Sequence, residues 1–147
     1  MQNFTHYDFS IGIPSRWADA SVVIMVGPPN DNFSPNITIV REQIDFKLSA
    51  TEYAANQLAS LKDELSELNY QVVEESPRKL EGLDAYQRIH TFLEPNINAK
   101  VMQLQVYVIK NKEVITMTFT NLAHRFEQTK PSFLEALNNF KWKGTSD

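Results

Sequence analysis

At 147 residues the chain is one domain long and can bury a real core. A net charge of -4 and a pI near 5.4 argue against a general nucleic-acid binder. The lack of cysteine excludes a disulfide framework, a thiolate metal site and a cysteine nucleophile, and it fits the cytoplasm.

The N-terminal stretch MQNFTHYDFS has no basic region followed by an apolar run, so no secretory signal is expected. No apolar run approaches the length of a membrane span, and no direct membrane insertion is expected. Tyr7 to Ile13 alternates, with Tyr7, Phe9, Ile11 and Ile13 on one side. That pattern predicts a half-buried strand ended by Pro14. Trp17 follows in a connector and is expected to anchor in the core. Ser21 to Val26 is apolar on both faces from Val22 onward. Such a strand needs cover on both sides, from the protein or from a partner. Gly27 to Asn32 is a turn-rich loop, and Asn36 to Phe46 is a third strand.

Ser49 and Glu52 fit a capping box, in which hydroxyl and carboxylate satisfy the first amides of a helix. The helix is expected to run to about Leu68 or Asn69. Its apolar stripe is Ala54, Leu58, Leu61, Leu65 and Leu68, flanked by Tyr53, Gln57, Leu61 and Glu64. Tyr70 to Leu80 reads as a fourth strand interrupted near Pro77. Glu81 to Asp84 is a turn, Ala85 to Leu93 a fifth strand, and Glu94 to Ala99 a loop.

Val101 to Ile109 and Val114 to Asn121 form a hairpin about Asn111-Lys112, because Asn tolerates positive φ. The turn sets the register. Lys110 then faces Glu113, and Val108, Val106 and Leu104 face Ile115, Met117 and Phe119 on one apolar face. The other face pairs Ile109 with Val114, Tyr107 with Thr116, Gln105 with Thr118 and Gln103 with Thr120. No charge interrupts Val101 to Ile109. Thr129 is expected to cap a second helix, with Pro131 in its first turn. Phe133, Leu134, Leu137 and Phe140 form its stripe, which Trp142 extends. Three strands, a helix, four strands and a helix predict a single α+β domain over 1–147, its sheet mostly antiparallel.

Catalytic patterns are missing from the sequence. His6, His90 and His124 have no zinc-hydrolase spacing, and His90 reads as a satisfied core residue. There is no GxSxG, phosphate-binding loop or dinucleotide fingerprint. The pairs Glu74-Glu75 and Asp63-Glu64 read as solvated. The expectation is a non-enzyme without metal or cofactor.

The uncharged mixed face is the functional signal. Gln and Thr can bond a backbone carbonyl without carrying a charge into a dry site. Val22 with Ile24, Thr38 with Val40, and Gln57 with Leu61 and Leu65 share that character. Together they suggest one binding surface for an apolar segment.

The run from Phe9 to Val22, with Trp17, Asp19 and Ser21, resembles the opening of the DcrB/Eag family. The order of elements and the closing Phe133 to Phe140 helix are similar too. The resemblance implies a PsbP-like α/β/α sandwich of about seven strands and two main helices. It also implies an effector-associated chaperone of the type VI secretion system, commonly a homodimer. Such a chaperone keeps hydrophobic N-terminal transmembrane helices of an effector soluble in the cytoplasm. On this reading the groove is lined by Val22, Ile24, Thr38, Val40, Gln57, Leu61, Leu65, Val101, Gln103, Gln105 and Tyr107. The alternative is a regulatory or scaffolding module that binds a folded partner through the outer sheet.

Overall fold

The computed structural model describes residues 8–143 in full and the backbone of 2–6. Tyr7, assigned above to the first strand, lies outside the described residues. Among the described residues eight strands form two sheets. The strands are β1 (Gln2–His6), β2 (Phe9–Ile13), β3 (Val23–Val26), β4 (Asn36–Gln43), β5 (Gln71–Leu80), β6 (Leu83–Glu94), β7 (Ala99–Lys110) and β8 (Glu113–Leu122). The helices are α1 (Ala50–Glu64) and α2 (Phe126–Asn138), the latter preceded by a 3-10 turn over Ala123–Arg125. β1 and β2 make a separate hairpin, and the other six strands form an antiparallel sheet in the order β3-β4-β8-β7-β6-β5. The helices lie on opposite faces, which gives the α/β/α sandwich.

The central hairpin follows the register set by its turn. Lys110 pairs with Glu113, Leu104 with Phe119 and Gln103 with Thr120. Asn111 takes φ 59°, the left-handed conformation its side chain tolerates. Leu104, Val106, Val108, Met117 and Phe119 pack with Phe126, Phe133 and Leu137 of α2. Tyr107, Ile109 and Val114 pack with Ala50, Tyr53 and Ala54 of α1 on the other side. One hairpin thus supplies the centre of both cores, because its side chains alternate between the faces.

The α1 start matches the capping box. Glu52 N–H donates to Ser49 Oγ at 3.0 Å, and Ser49 N–H donates to Glu52 Oε1 at 2.9 Å. The first-turn amide of Ala50 donates to Asp84 Oδ2 at 2.7 Å, which ties the helix end to β6.

Several expectations need correction. α1 ends at Glu64 rather than Leu68, and a series of turns carries the chain to Asn69, whose φ is 56°. β5 runs unbroken through Pro77; its irregularity is a bulge at Val73. Glu81 and Gly82, at φ 54° and 75°, suffice for the next turn, so Leu83 and Asp84 already belong to β6. α2 begins at Phe126, and Pro131 lies inside it. Thr129 therefore caps nothing; its hydroxyl donates to Phe126 O and accepts from Asn121 Nδ2. The alternation in β2 is not burial, because Phe9 and Ile11 are exposed and β2 pairs only with β1. Trp17 is 68% exposed and anchors no core.

Candidate functional site

The α1 face of the large sheet is organised in rows across the strands. One row runs Ile24, Thr38, Thr118, Gln105, Arg88, Glu75. The next runs Val26, Asn36, Thr120, Gln103, His90, Val72. Each row passes from an apolar edge at β3, through neutral hydroxyls and amides, to buried groups at β6. α1 packs against β6 and β7, so the cover is concentrated on that half. Toward β3 the face opens: Ile24 is 62% and Val26 65% exposed.

The buried end of the first row is held by Arg88, which is only 1% exposed. Its guanidinium donates to Glu75 Oε1 at 3.1 Å, to Tyr107 Oη at 3.0 Å and to the Ala54 carbonyl at 2.8 Å. A buried charge persists only when paired and hydrogen-bonded, and here all three directions are used. Tyr107 Oη donates to Gln105 Oε1 at 2.8 Å, and Gln105 Nε2 donates to Thr118 Oγ1 at 3.2 Å.

The second row carries a parallel chain. Gln103 Nε2 donates to Thr120 Oγ1 at 3.1 Å, which leaves its Oε1 toward His90 Nε2 at 2.8 Å. The ring must then carry its proton on Nε2, and Nδ1 accepts from the Tyr70 hydroxyl at 2.8 Å. Burial holds the His90 imidazole below its ordinary range and so favours the neutral ring. Burial also pushes the Tyr70 hydroxyl up to about 12, which keeps it a donor.

The eleven residues expected to line a groove divide into three groups. Ile24, Thr38, Val40, Gln103 and Gln105 lie on the open part of this face, and Val22 is exposed just ahead of β3. Gln57, Leu61 and Leu65 are half-buried along α1 and at its end. Val101 and Tyr107 share the face but are 2% and 1% exposed, so they support the floor and cannot contact a ligand. Tyr107 is sealed by Tyr53 of α1, whose ring meets it edge-on at 5.3 Å.

Sequence reasoning missed Arg88. Arg88 is the only formal charge between Ala85 and Leu93. That isolation was a usable signal, since a lone charge inside a strand between two others must be paired. Glu75, read as solvated, is its partner. Among the described residues no three or more His, Asp or Glu side chains are placed to hold a metal. His90 is committed to Tyr70 and Gln103, and His124 to Asp31. No helix of the described residues is long and apolar enough to cross a membrane.

On the α2 side of the same edge lies an apolar cavity of about 310 Å³, with Met25, Val26, Ile37 and Phe133 among its walls. The β3 edge is therefore bordered by apolar surface on both faces. No β3 residue is charged.

The fold has known counterparts. A Pseudomonas aeruginosa protein of unknown function, PA94, superposes with a TM-score of 0.83 at 18% identity, over 99% of each chain. The cyanobacterial PsbP protein CyanoP of Synechocystis sp. PCC 6803 superposes with a TM-score of 0.53 at 13% identity, over 86% of this chain and 95% of its own. At such identities the likeness is one of fold, and the fold is PsbP-like. No functionally curated protein matches the sequence significantly. The sequence profile of the DcrB family matches residues 9–139. By that match, which takes in both helices and every strand but β1, the chain belongs to the DcrB family.

Proposed function

We propose that this domain is a non-catalytic chaperone or adaptor that holds the hydrophobic N-terminal transmembrane helices of a type VI secretion effector. It keeps them soluble for loading and export, and it works in the cytoplasm. The observation that carries this reading is the uncharged, exposed edge Val22–Val26, continuous with a half-open face of Thr38, Thr118 and Gln105. Exposed apolar surface of this kind is uncommon on a monomer and marks a binding site. An apolar helix laid there leaves water at about 25 cal/mol per Å² buried, and neutral amides meet its polar backbone at small desolvation cost.

The same edge supports a homodimer. Two copies meeting at β3 would join two open faces into one wider surface. Light scattering at micromolar concentration tests this, and a monomer mass counts against it.

Co-expression with a segment bearing apolar runs of about 20 residues tests the function. The wild-type domain should keep the segment soluble, and Ile24→Asp and Leu61→Asp should not. Ile24→Asp is a cleaner test than Gln103→Asp, because Gln103 is tied to His90 and Thr120. If folded Ile24→Asp still solubilises the segment, the groove lies elsewhere. A natural partner without any such apolar run would favour a scaffolding module that binds a folded protein.

A further inference from the structure

We propose that a basic cleft at the tip of the β7–β8 hairpin, on the α2 side of the sheet, binds an acidic segment of a partner protein. The cleft is independent of the helix-holding reading, because it lies on the opposite side from the open rows of threonine and glutamine.

Strand alternation builds it. Gln43, Glu113 and Lys110 form one row across β4, β8 and β7. Lys110 is two residues past Val108 and so shares the α2 face with it. Past the end of α2, Phe140 and Trp142 pack against the same core. The Trp142 ring closes the row, with Lys110 Nζ 5.9 Å from its centroid. The cavity they border is about 490 Å³, and its walls include Gln43, Lys110, Asn111, Lys112, Glu113 and Trp142.

The charges in this row are not spent on one another. Register sets Lys110 opposite Glu113, a pair that would ordinarily neutralise both. Glu113 Oε2 instead faces Arg41 Nε at 3.8 Å, and the Lys110 ammonium rests over the indole. An aromatic face holds a cation without supplying the carboxylate that its hydrogens could bond. Lys112 is exposed in the turn, and Lys141 and Lys143 are exposed on either side of Trp142. None of these four lysines makes an ion pair among the described residues. The whole chain carries -4, so the cluster runs against its net charge. Glu113 is the one carboxylate on the cavity wall among the described residues. Neighbouring Glu42 is turned to the other side of the sheet, where it accepts from the Tyr53 hydroxyl.

The lining selects the ligand. Ammonium groups call for carboxylates, the amides of Gln43 and Asn111 can bond a peptide backbone in either sense, and Trp142 adds apolar contact. An acidic protein segment supplies all three. A broad anionic surface such as a lipid bilayer fits less well. It would also meet Glu113 and the exposed Asp45, whose stretch is tied to the turn by Ile44 N–H donating to Lys112 O at 2.9 Å.

A synthetic peptide of about ten residues alternating Glu and Ser tests the cleft against its Gln counterpart, by fluorescence anisotropy with the full chain. The Glu peptide should bind, and its affinity should fall several-fold as salt rises from about 0.05 to 0.3 M. The Gln peptide should not bind. Lys110→Gln with Lys112→Gln should weaken binding several-fold, whereas Lys62→Gln, exposed on α1, should leave it unchanged. Glu113→Gln should tighten binding, because it removes the opposing carboxylate and releases Arg41. Weaker binding in that variant would overturn the cleft. So would an equal loss at Lys62, which would mean diffuse attraction to the whole surface, or no binding of the Glu peptide. Phosphatidylcholine vesicles with about 30% phosphatidylserine supply the other anionic partner. Co-sedimentation with them in place of peptide binding would assign the cluster to a membrane and overturn the proposal.

Discussion

The two edges of the large sheet have opposite surfaces. β5 is guarded along its length. A bulge at Val73 breaks its register, Pro77 removes a backbone donor, and Glu74, Glu75, Arg78 and Lys79 place charge beside the open hydrogen bonds. β3 has none of these devices, and no charge occurs from Ala20 to Asn30. A domain that merely avoided aggregation would blunt both edges. Under the proposed function, the bare edge is the one kept for contact, and its four-residue length limits how much chain it exposes. Charge follows the same division: the β5 half holds Arg88, Glu75 and His90, whereas β3 has no titratable group.

The comparison predicts that breaking the buried ion pair on the guarded side costs stability, that removing the guards themselves opens a new contact, and that damage to the bare edge costs binding. The largest effect is expected for Glu75→Ala, which leaves buried Arg88 without its carboxylate. Breaking such a pair from one side costs on the order of 3 kcal/mol, measurable by urea unfolding. A loss under about 1 kcal/mol would mean that Tyr107 and the Ala54 carbonyl suffice for the guanidinium.

Acid comes next. The folded His90 ring resists protonation because it is buried, while the unfolded ring takes up a proton near 6.5. The unfolded state thus binds more protons as pH falls. Stability present at neutral pH should be lost below about pH 7, by at most ~1.4 kcal/mol per pH unit. Unfolding curves at pH 7 and pH 5 check this, and the His90→Gln variant should flatten the difference.

Removing the guards should convert one edge into the other. In Glu74→Val with Pro77→Val, stability should change by less than about 1 kcal/mol, yet new association should appear by light scattering. The smallest change in stability is expected for Ile24→Lys with Val26→Lys, within about 0.5 kcal/mol because both side chains are exposed. That variant should nevertheless lose client solubilisation and dimerisation. Retained binding would remove the distinction between the edges.

The sequence was most informative where local chemistry dictates geometry. Asn111 sets a two-residue turn, and the turn sets ten cross-strand pairs. Ser49 and Glu52 mark a helix start for a similar reason: the partners lie three residues apart. The misses share the opposite property. α2 starts at Phe126 because Phe126 fills the core, which outweighs the capping preference of Thr129. Exposure of Phe9, Ile11 and Trp17 depends on whether a sheet lies beneath them, and alternation alone does not report that. In the candidate site, the Gln–Thr pairs followed from register. The roles of Arg88 and Tyr70 required knowing which strand and which loop lie beside them.

The place of β4 in the sheet sets a timetable for synthesis. β5 to β8 follow one another as hairpins and can pair as they emerge, but β4 pairs only with β3 and β8, as in Asn36 with Thr120. At about 5–20 residues per second, the β3–β4 segment waits roughly 4–16 s for its inner neighbour. Closing so long a loop also places this pairing late in folding. For those seconds the nascent chain carries an unshielded apolar segment of the kind the finished domain is proposed to shield in others.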